Sequence, residues 1–306
     1  MGVPARENLK ERMKQLMHNT QVTYKEVQAK SALTKLKRKI PYSWDLNIYR
    51  GCEHGCRYCY ALYSHNFLNS AQYFSDIYVK TNIVDLLEKE LKAGSWKREV
   101  INMGGVTDSY QPAESRYRLM PEVLKLLIKY QTPAIISTKS SLVLRDFDLI
   151  DHLSKITYVN IATTITTTDE TIRTKIEPCS ASSMERFDVL KAFRKTNASI
   201  GLHVMPIIPF VTDHEDNFEK LFARARACPV DYVLPGTLYL KKDTRPYFFD
   251  FLQREFPSLS EDYRRLYKTG GATKEYKTKL YLMVNRLRNK FDLSGSYMKP
   301  MRERLP

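Results

Sequence analysis

The segment Tyr49-Arg50-Gly51-Cys52-Glu53-His54-Gly55-Cys56-Arg57-Tyr58-Cys59-Tyr60 sets three cysteines in the pattern C-x3-C-x2-C. Three thiolates on one short loop can each take one iron of a cubane [4Fe–4S] cluster, whereas an electron-transfer cluster normally takes a fourth cysteine. The fourth iron is then open to a small chelating ligand. The same residues admit a second reading, a structural zinc site in which His54 joins Cys52, Cys56 and Cys59. Against zinc, His54 lies between two of the cysteines, and no second C-x2-C pair or His-rich cluster follows downstream. Disulfides fit less well: five cysteines in 306 residues without a secretory leader is the usage of a reduced cytosolic protein.

At 43% hydrophobic, a chain of this length builds one large α/β domain or two small ones and can bury a cofactor. No apolar run approaches the roughly 18 residues that span a bilayer, so the expectation is a cytoplasmic protein with no membrane partner. The net charge of +15 is unevenly placed. Residues 1–40 carry +7, residues 262–306 carry +8, and the stretch between holds 27 basic and 27 acidic side chains. A neutral body with basic ends suits a polyanionic partner, nucleic acid first, because Lys and Arg contacts to phosphate provide the sequence-independent part of binding. The bland alternative is a solvated, solubility-promoting terminus. Lys35, Lys37, Arg38 and Lys39 cluster, while Lys25 and Lys30 read as ordinary helix-face charges.

From Asp45 onward short β-like runs alternate with helical patterns, the order of βα repeats around a parallel sheet. Six strands are expected, at Leu46–Tyr49, Val100–Met103, Ala134–Ser137, Tyr158–Ala162, Ser199–Val204 and Asp231–Leu234. The first runs directly into the cysteine loop. Asn82 reads as the N-cap of a helix to Lys92, and Ser182 with Glu185 as a capping box. After Gly236 only helical patterns remain, at Thr244–Glu255, Leu259–Lys268 and Lys274–Lys290. The division is a basic extension over 1–44, a βα body over 45–240 and a basic helical region over 241–306, with the first 40 residues helical or disordered.

The cysteine spacing, with aromatic Tyr58 just before the last cysteine, resembles the signature of the radical S-adenosylmethionine superfamily. Further segments resemble its spore photoproduct lyase-like, or DNA repair photolyase-like, branch. They are Asn47-Ile48-Tyr49-Arg50-Gly51-Cys52 with Tyr58-Cys59-Tyr60-Ala61, the turn Val106-Thr107-Asp108-Ser109-Tyr110-Gln111-Pro112-Ala113-Glu114, and Glu177-Pro178 with Arg186 nine residues on. The resemblance implies a partial (β/α)6 TIM-like barrel with a helical C-terminal extension, its catalytic groups on loops at the C-terminal ends of the strands. It also implies a [4Fe–4S] cluster on Cys52, Cys56 and Cys59 whose open iron chelates S-adenosyl-L-methionine. One electron, from a reductant such as flavodoxin or ferredoxin, then cleaves the sulfonium to a 5'-deoxyadenosyl radical that abstracts hydrogen from a substrate.

On the same resemblance Gly104 and Gly105 hold the methionyl ammonium, although Gly-Gly after a strand is otherwise simply a turn. The glutamate usual there is missing, leaving Asp108 for that work or for none. Lys139 pairs with the cofactor carboxylate, Ser137 or Thr138 reaches the ribose, and Thr163 with Thr164 stands at the level of further ribose contacts. Glu177 and Arg186 are expected to form an ion pair that fixes the loop after the fourth strand. Cys179 on that loop is the candidate hydrogen-atom donor, against the commoner fate of a free cysteine as an inert thiol. Spore photoproduct lyases place such a cysteine near the turn after the second strand, where this chain reads Val106-Thr107-Asp108. Photoproduct repair therefore does not carry over unless Cys179 or one of the 20 tyrosines substitutes. Substrate and oligomeric state stay open, with a peptide or small metabolite as the alternative to nucleic acid.

Overall fold

The computed structural model describes residues 21–37, 40–68, 70 and 72–305. Strands β1 (Thr23–Val27), β2 (Leu33–Lys35), β3 (Trp44–Leu46), β4 (Tyr49–Arg50) and β5 (Asp76–Lys80) come first. Strand and helix then alternate through α1 (Ile83–Lys92), β6 (Ile101–Met103), α2 (Ala113–Tyr117), α3 (Leu119–Lys129), β7 (Ala134–Thr138), α4 (Phe147–Ile156) and β8 (Val159–Thr164). The alternation continues with α5 (Glu170–Ile176), α6 (Ser183–Phe193), β9 (Ser199–Ile207), α7 (Glu215–Ala227) and β10 (Tyr232–Thr237). Helices α8 (Thr244–Glu255), α9 (Ser260–Leu266), α10 (Lys274–Lys290) and α11 (Met298–Arg304) close the chain.

One seven-stranded sheet runs in the order β10-β9-β8-β7-β6-β3-β2. β3 and β6 to β10 are parallel to their neighbours, and β2 lies antiparallel on β3. Parallel strands covered on both faces read as continuous apolar or small runs, and all of β8 (VNIATT) is buried. The helices cover the outer face. Ile83, Leu87 and Leu91, spaced by one turn on α1, join Ile101, Met103, Ile136 and Ile161 of the strands in the main core. Side chains from β6 to β10 meet around an interior cavity, so the sheet is curled. The architecture is the expected α/β partial (β/α)6 barrel with a helical C-terminal extension.

Two expectations are corrected. The first barrel strand ends at Leu46, and Tyr49–Arg50 pairs instead with β5 in a second sheet of order β1-β5-β4. The N-terminal stretch, expected to be helical or disordered, contains strands. Its Thr-Tyr-Lys-Glu-Val, with β-favouring Thr, Tyr and Val, adds to β5 in parallel, and Lys25 lies 2.8 Å from Asp76 across that pairing. Residues 1–20, Arg38 and Lys39 lie outside the described residues. Asn82 stands at the N-cap of α1, yet its side chain bonds Ala29 at both N–H (2.8 Å) and carbonyl (3.0 Å), tying the second sheet to the barrel. The Ser182–Glu185 capping box is present.

The C-terminal helices pack over the mouth. Phe248, Phe251 and Leu252 of α8 and Tyr263 of α9 form one cluster with Tyr267, Cys56 and Tyr58. Tyr263 donates to the Pro209 carbonyl (2.7 Å) and Tyr267 to that of Leu238 (3.0 Å), which holds the loops after β9 and β10. On the outside Arg286 and Lys290 of α10 pair with Glu215 and Glu219 of α7 at 2.7 and 2.6 Å. Among the described residues no helix is long and apolar enough to cross a membrane. Phe251→Ala should lower the unfolding free energy by about 3–5 kcal/mol in urea titrations, because Phe251 is buried where the helical cap meets the cysteine loop.

Candidate functional site

The cysteine loop leaves the short strand β4 through Gly51, whose φ is +83°. A Cβ there would lie 2.7 Å from the Asp76 carbonyl oxygen and 2.9 Å from that of Tyr73, so only glycine lets the loop approach β5. Cys52 N–H donates to the Tyr73 carbonyl at 3.1 Å and Cys59 N–H to that of Cys56 at 3.1 Å. Cys52, Cys56 and Cys59 line one wall of a cavity of about 600 Å³ at the C-terminal ends of the strands. All three are free thiols. Burial pushes the Cys56 thiol up to about 12 and raises Cys52 and Cys59 as well. Thiols in such surroundings give up their protons when a cation replaces them. From the far side, Thr244 of α8 donates to the Cys59 carbonyl at 3.0 Å and Arg57 to Tyr247 at 2.9 Å.

The polar residues of the turn 106–114 brace this loop. Thr107 and Gln111 both donate to the Gly51 carbonyl (2.6 and 3.1 Å), and Gln111 Oε1 accepts from Glu53 N–H (3.0 Å). Glu53 in turn accepts from Ala113 N–H at 2.7 Å, and Glu114 takes Tyr49 OH at 2.5 Å and Arg145 at 2.6 Å. Asp108 is the hub. Its carboxylate faces His54 Nε2 at 3.0 Å and accepts from Thr138 Oγ1 at 2.8 Å, Lys139 N–H at 2.9 Å and Tyr110 N–H at 2.9 Å. Burial alone raises its pKa, but the His54 ring and these donors outweigh it and hold Asp108 down at about 2. Asp108 lines the cavity with both oxygens engaged.

His54 has its second nitrogen, Nδ1, 3.3 Å from the Cys179 carbonyl. Both ring nitrogens are committed, so His54 does not complete a zinc set. Among the described residues no three His, Cys, Asp or Glu side chains converge as the shell of a single ion would. The donor set fits a cluster spread over three thiols better than one tetrahedral ion.

Gly104, Gly105, Ser137 and Lys139 line the same cavity. Gly104 has φ +78°, and a Cβ on Gly105 would overlap the Asp45 carboxylate, so neither position accepts a side chain. Lys139 Nζ lies 5.8 Å from the centroid of the Tyr58 ring and makes no ion pair among the described residues. Burial opposes its charge, yet the charges of Cys56 and Glu177 more than offset this and raise its pKa. Tyr58 OH donates to Glu177, which forms a fully buried ion pair with Arg186 at 2.6 Å. Arg186 also donates to the carbonyls of Thr164 (2.7 Å) and Ala181 (2.7 Å), and so fixes the loop after β8 as expected.

Two candidates lie elsewhere. Thr163 is buried on the face toward α6, 3.4 Å from the Arg186 carbonyl, and its neighbour Thr164 faces the cavity, because successive strand residues alternate. Cys179 is exposed and outside the cavity lining: its N–H bonds the His54 carbonyl and its own carbonyl faces the His54 ring, so its backbone is spent on the cysteine loop. The cavity also recruits Asn102, His203, Tyr60 and Tyr239. Inward alternation marks His203, which follows Ser199 and Gly201 on one face of β9; Tyr239 follows a strand end and has no such signal.

Residues 46–222 match the Radical SAM superfamily. An uncharacterized protein of Mycobacterium tuberculosis is 33% identical over 282 residues, covering 90% of this chain and 83% of that one. One from Methanocaldococcus jannaschii is 29% identical over 278 residues, covering 89% and 96%. Among solved structures, spore photoproduct lyase complexed with dinucleoside spore photoproduct shares the fold at a TM-score of 0.65 and 15% identity, over 95% of this chain and 84% of that one.

Breaking the Glu177–Arg186 pair with Arg186→Leu should cost about 3–5 kcal/mol in denaturant unfolding, because the carboxylate is left buried and uncompensated. Asp108 supplies a pH signature. Its folded pKa is depressed, so its contribution of roughly 2 kcal/mol is complete above about pH 5 and fades as the pH falls toward 2. Unfolding midpoints measured from pH 7 to 2.5 should show this acid limb in the wild type and a flatter one in Asp108→Asn.

Proposed function

We propose that this chain, which belongs to the radical SAM superfamily, binds a [4Fe–4S] cluster through Cys52, Cys56 and Cys59 and uses S-adenosylmethionine for radical hydrogen abstraction. The observation behind it is the placement of three thiols of one loop, two buried and one half-buried, on the wall of a large cavity, with the imidazole of that same loop, His54, already committed. When bound, the cluster and S-adenosylmethionine supply the one-electron cleavage that yields a 5'-deoxyadenosyl radical.

The protein's part is to bind, orient and keep dry. Lys139, cationic and without a carboxylate partner among the described residues, is placed to take the methionyl carboxylate. Backbone carbonyls at Gly104 and Gly105 suit the ammonium, that of Gly105 with the lone pair that Tyr60 OH leaves free. Ser137 and Thr164 offer hydroxyls to the ribose. Tyr58, Tyr73, Met205 and Pro206 line the cavity with apolar surface, which limits water near a reactive species.

For the substrate we infer nucleic acid, supported by the basic ends and by the fold shared with a lyase solved with a dinucleoside photoproduct. The pairing of Arg286 and Lys290 with acidic residues speaks for the second reading, a peptide or small metabolite. The reductant is a low-potential protein such as flavodoxin or ferredoxin. Without a cysteine in the cavity beyond the three ligands, the hydrogen returned to a product radical comes from a tyrosine or from 5'-deoxyadenosine itself.

Anaerobic reconstitution, dithionite reduction and mass spectrometry should give iron, sulfide and 5'-deoxyadenosine in the wild type, and none of the three with Cys56→Ala. One equivalent of zinc in place of iron would overturn the reading. Lys139→Ala should keep its iron and lose about tenfold in S-adenosylmethionine affinity by calorimetry. Oligonucleotide binding should weaken steeply with salt and drop on deletion of residues 1–20, a cut that spares β1.

A further inference from the structure

A second, smaller cavity of about 160 Å³ lies inside the barrel and shares Tyr42, Asn102, Ser137 and His203 with the large one. Tyr297 and Met301 are on its lining, and Met301 packs with Val100, Ile135 and Tyr158 around the N-terminal ends of the strands. It is about the room of five water molecules at ~30 Å³ each. Its lining is mostly apolar, crossed by one polar strip. A chain of hydrogen bonds runs through it from His203 Nε2 to Tyr232 OH (3.1 Å), from Tyr232 OH to Asn160 Oδ1 (3.1 Å) and from Asn160 Nδ2 to Ser199 Oγ (2.6 Å).

The chain has a direction. Asn160 points its NH2 at Ser199, where it also reaches the carbonyl at 3.2 Å, so its oxygen faces Tyr232 and receives that hydroxyl proton. The Tyr232 oxygen then accepts from His203, which places the proton of a neutral imidazole on Nε2. Burial, and secondarily the Lys139 cation, hold the His203 pKa down at about 4, so the ring is neutral near pH 7. Nδ1 is left as a bare acceptor, with no hydrogen-bond partner among the described residues. A glycine makes this arrangement possible: a Cβ on Gly201, between Ser199 and His203 on the inner face of β9, would collide with the Tyr232 ring.

We infer that this cavity is a recognition subsite for a small uncharged hydrogen-bond donor, an amide or ring N–H, carried by the substrate and read by His203 Nδ1. The inference rests on the proposed radical function only in assigning the donor to that enzyme's substrate. A cationic group is disfavoured by Lys139 close by, and a pure acceptor meets no free donor on the neutral ring, whose Nε2–H is spent on Tyr232. Selection for a donor arises because a fixed acceptor facing a group without one is left unpaired.

Crystals of the full chain soaked with acetamide should show the amide nitrogen within hydrogen-bond reach of His203 Nδ1. N,N-dimethylacetamide, which lacks the N–H, should not bind there. His203→Gln keeps an acceptor and should retain acetamide; His203→Phe should lose it. In solution, acetamide should raise the unfolding midpoint of wild type and His203→Gln relative to N,N-dimethylacetamide, and leave His203→Phe without that difference. Equal occupancy by both amides, an empty cavity in the wild type, or S-adenosylmethionine filling it in a co-crystal would overturn the subsite. The soak needs no turnover. An empty cavity leaves the radical reading standing, and bound acetamide in a protein that makes no 5'-deoxyadenosine removes that reading and leaves the subsite.

Discussion

One carboxylate, that of Asp108, joins the three segments that make the site. It meets His54 from the cysteine loop, Tyr110 N–H from its own turn, and Thr138 with Lys139 N–H from the end of β7. The partners come from three segments at the same end of the sheet, so the docking of those segments on one another depends on that anion staying charged. A buried carboxylate is stable only with such a set of donors, and four groups supply it.

A second buried anion works on the other side. Glu177, paired with Arg186 and holding Tyr58, links the end of the cysteine loop to β8 through the Thr164 carbonyl. The cysteine loop is therefore clamped between two satisfied buried carboxylates, with Gly51 and Gly55 letting its backbone lie against β5 and Pro178. A loop held this way fixes the backbone that carries the three thiols, which lowers the ordering cost of binding any ligand there. The price in stability is the desolvation of two ion sets, a cost that enzymes accept where geometry matters.

The barrel interior is unusual for a core. Asn102, Asn160, Ser199, His203 and Tyr232 occupy inward positions that apolar residues fill elsewhere; the hydrogen-bond chain links Ser199, Asn160, Tyr232 and His203 Nε2, and Asn102 donates to Asp45. The apolar mass is on the outer face, between sheet and helices, so the interior is free to present polar atoms to a ligand. The C-terminal helices then serve twice, burying aromatic side chains against Cys56 and Tyr58 and capping the open side of a barrel that six parallel strands cannot close.

Period and punctuation made the alternation of six parallel strands with helices, the helices after Gly236 and the Ser182 capping box legible in the chain, with the first strand read a few residues too late, and the C-x3-C-x2-C spacing marked the loop that lines the cavity. These are local signals, set by side-chain spacing over a few residues. The N-terminal strands were not legible, since Thr23–Val27 becomes a strand only by pairing with Asp76–Lys80, some fifty residues away. The choice of Thr164 over Thr163, the exposure of Cys179, the commitment of His54 to Asp108 and the inward position of His203 were likewise decided only by the folded chain. Residue type and spacing determine which groups can bind iron, carry charge or donate a proton; which of them face one another depends on strand register and loop docking, contacts between segments far apart in sequence that no local pattern encodes.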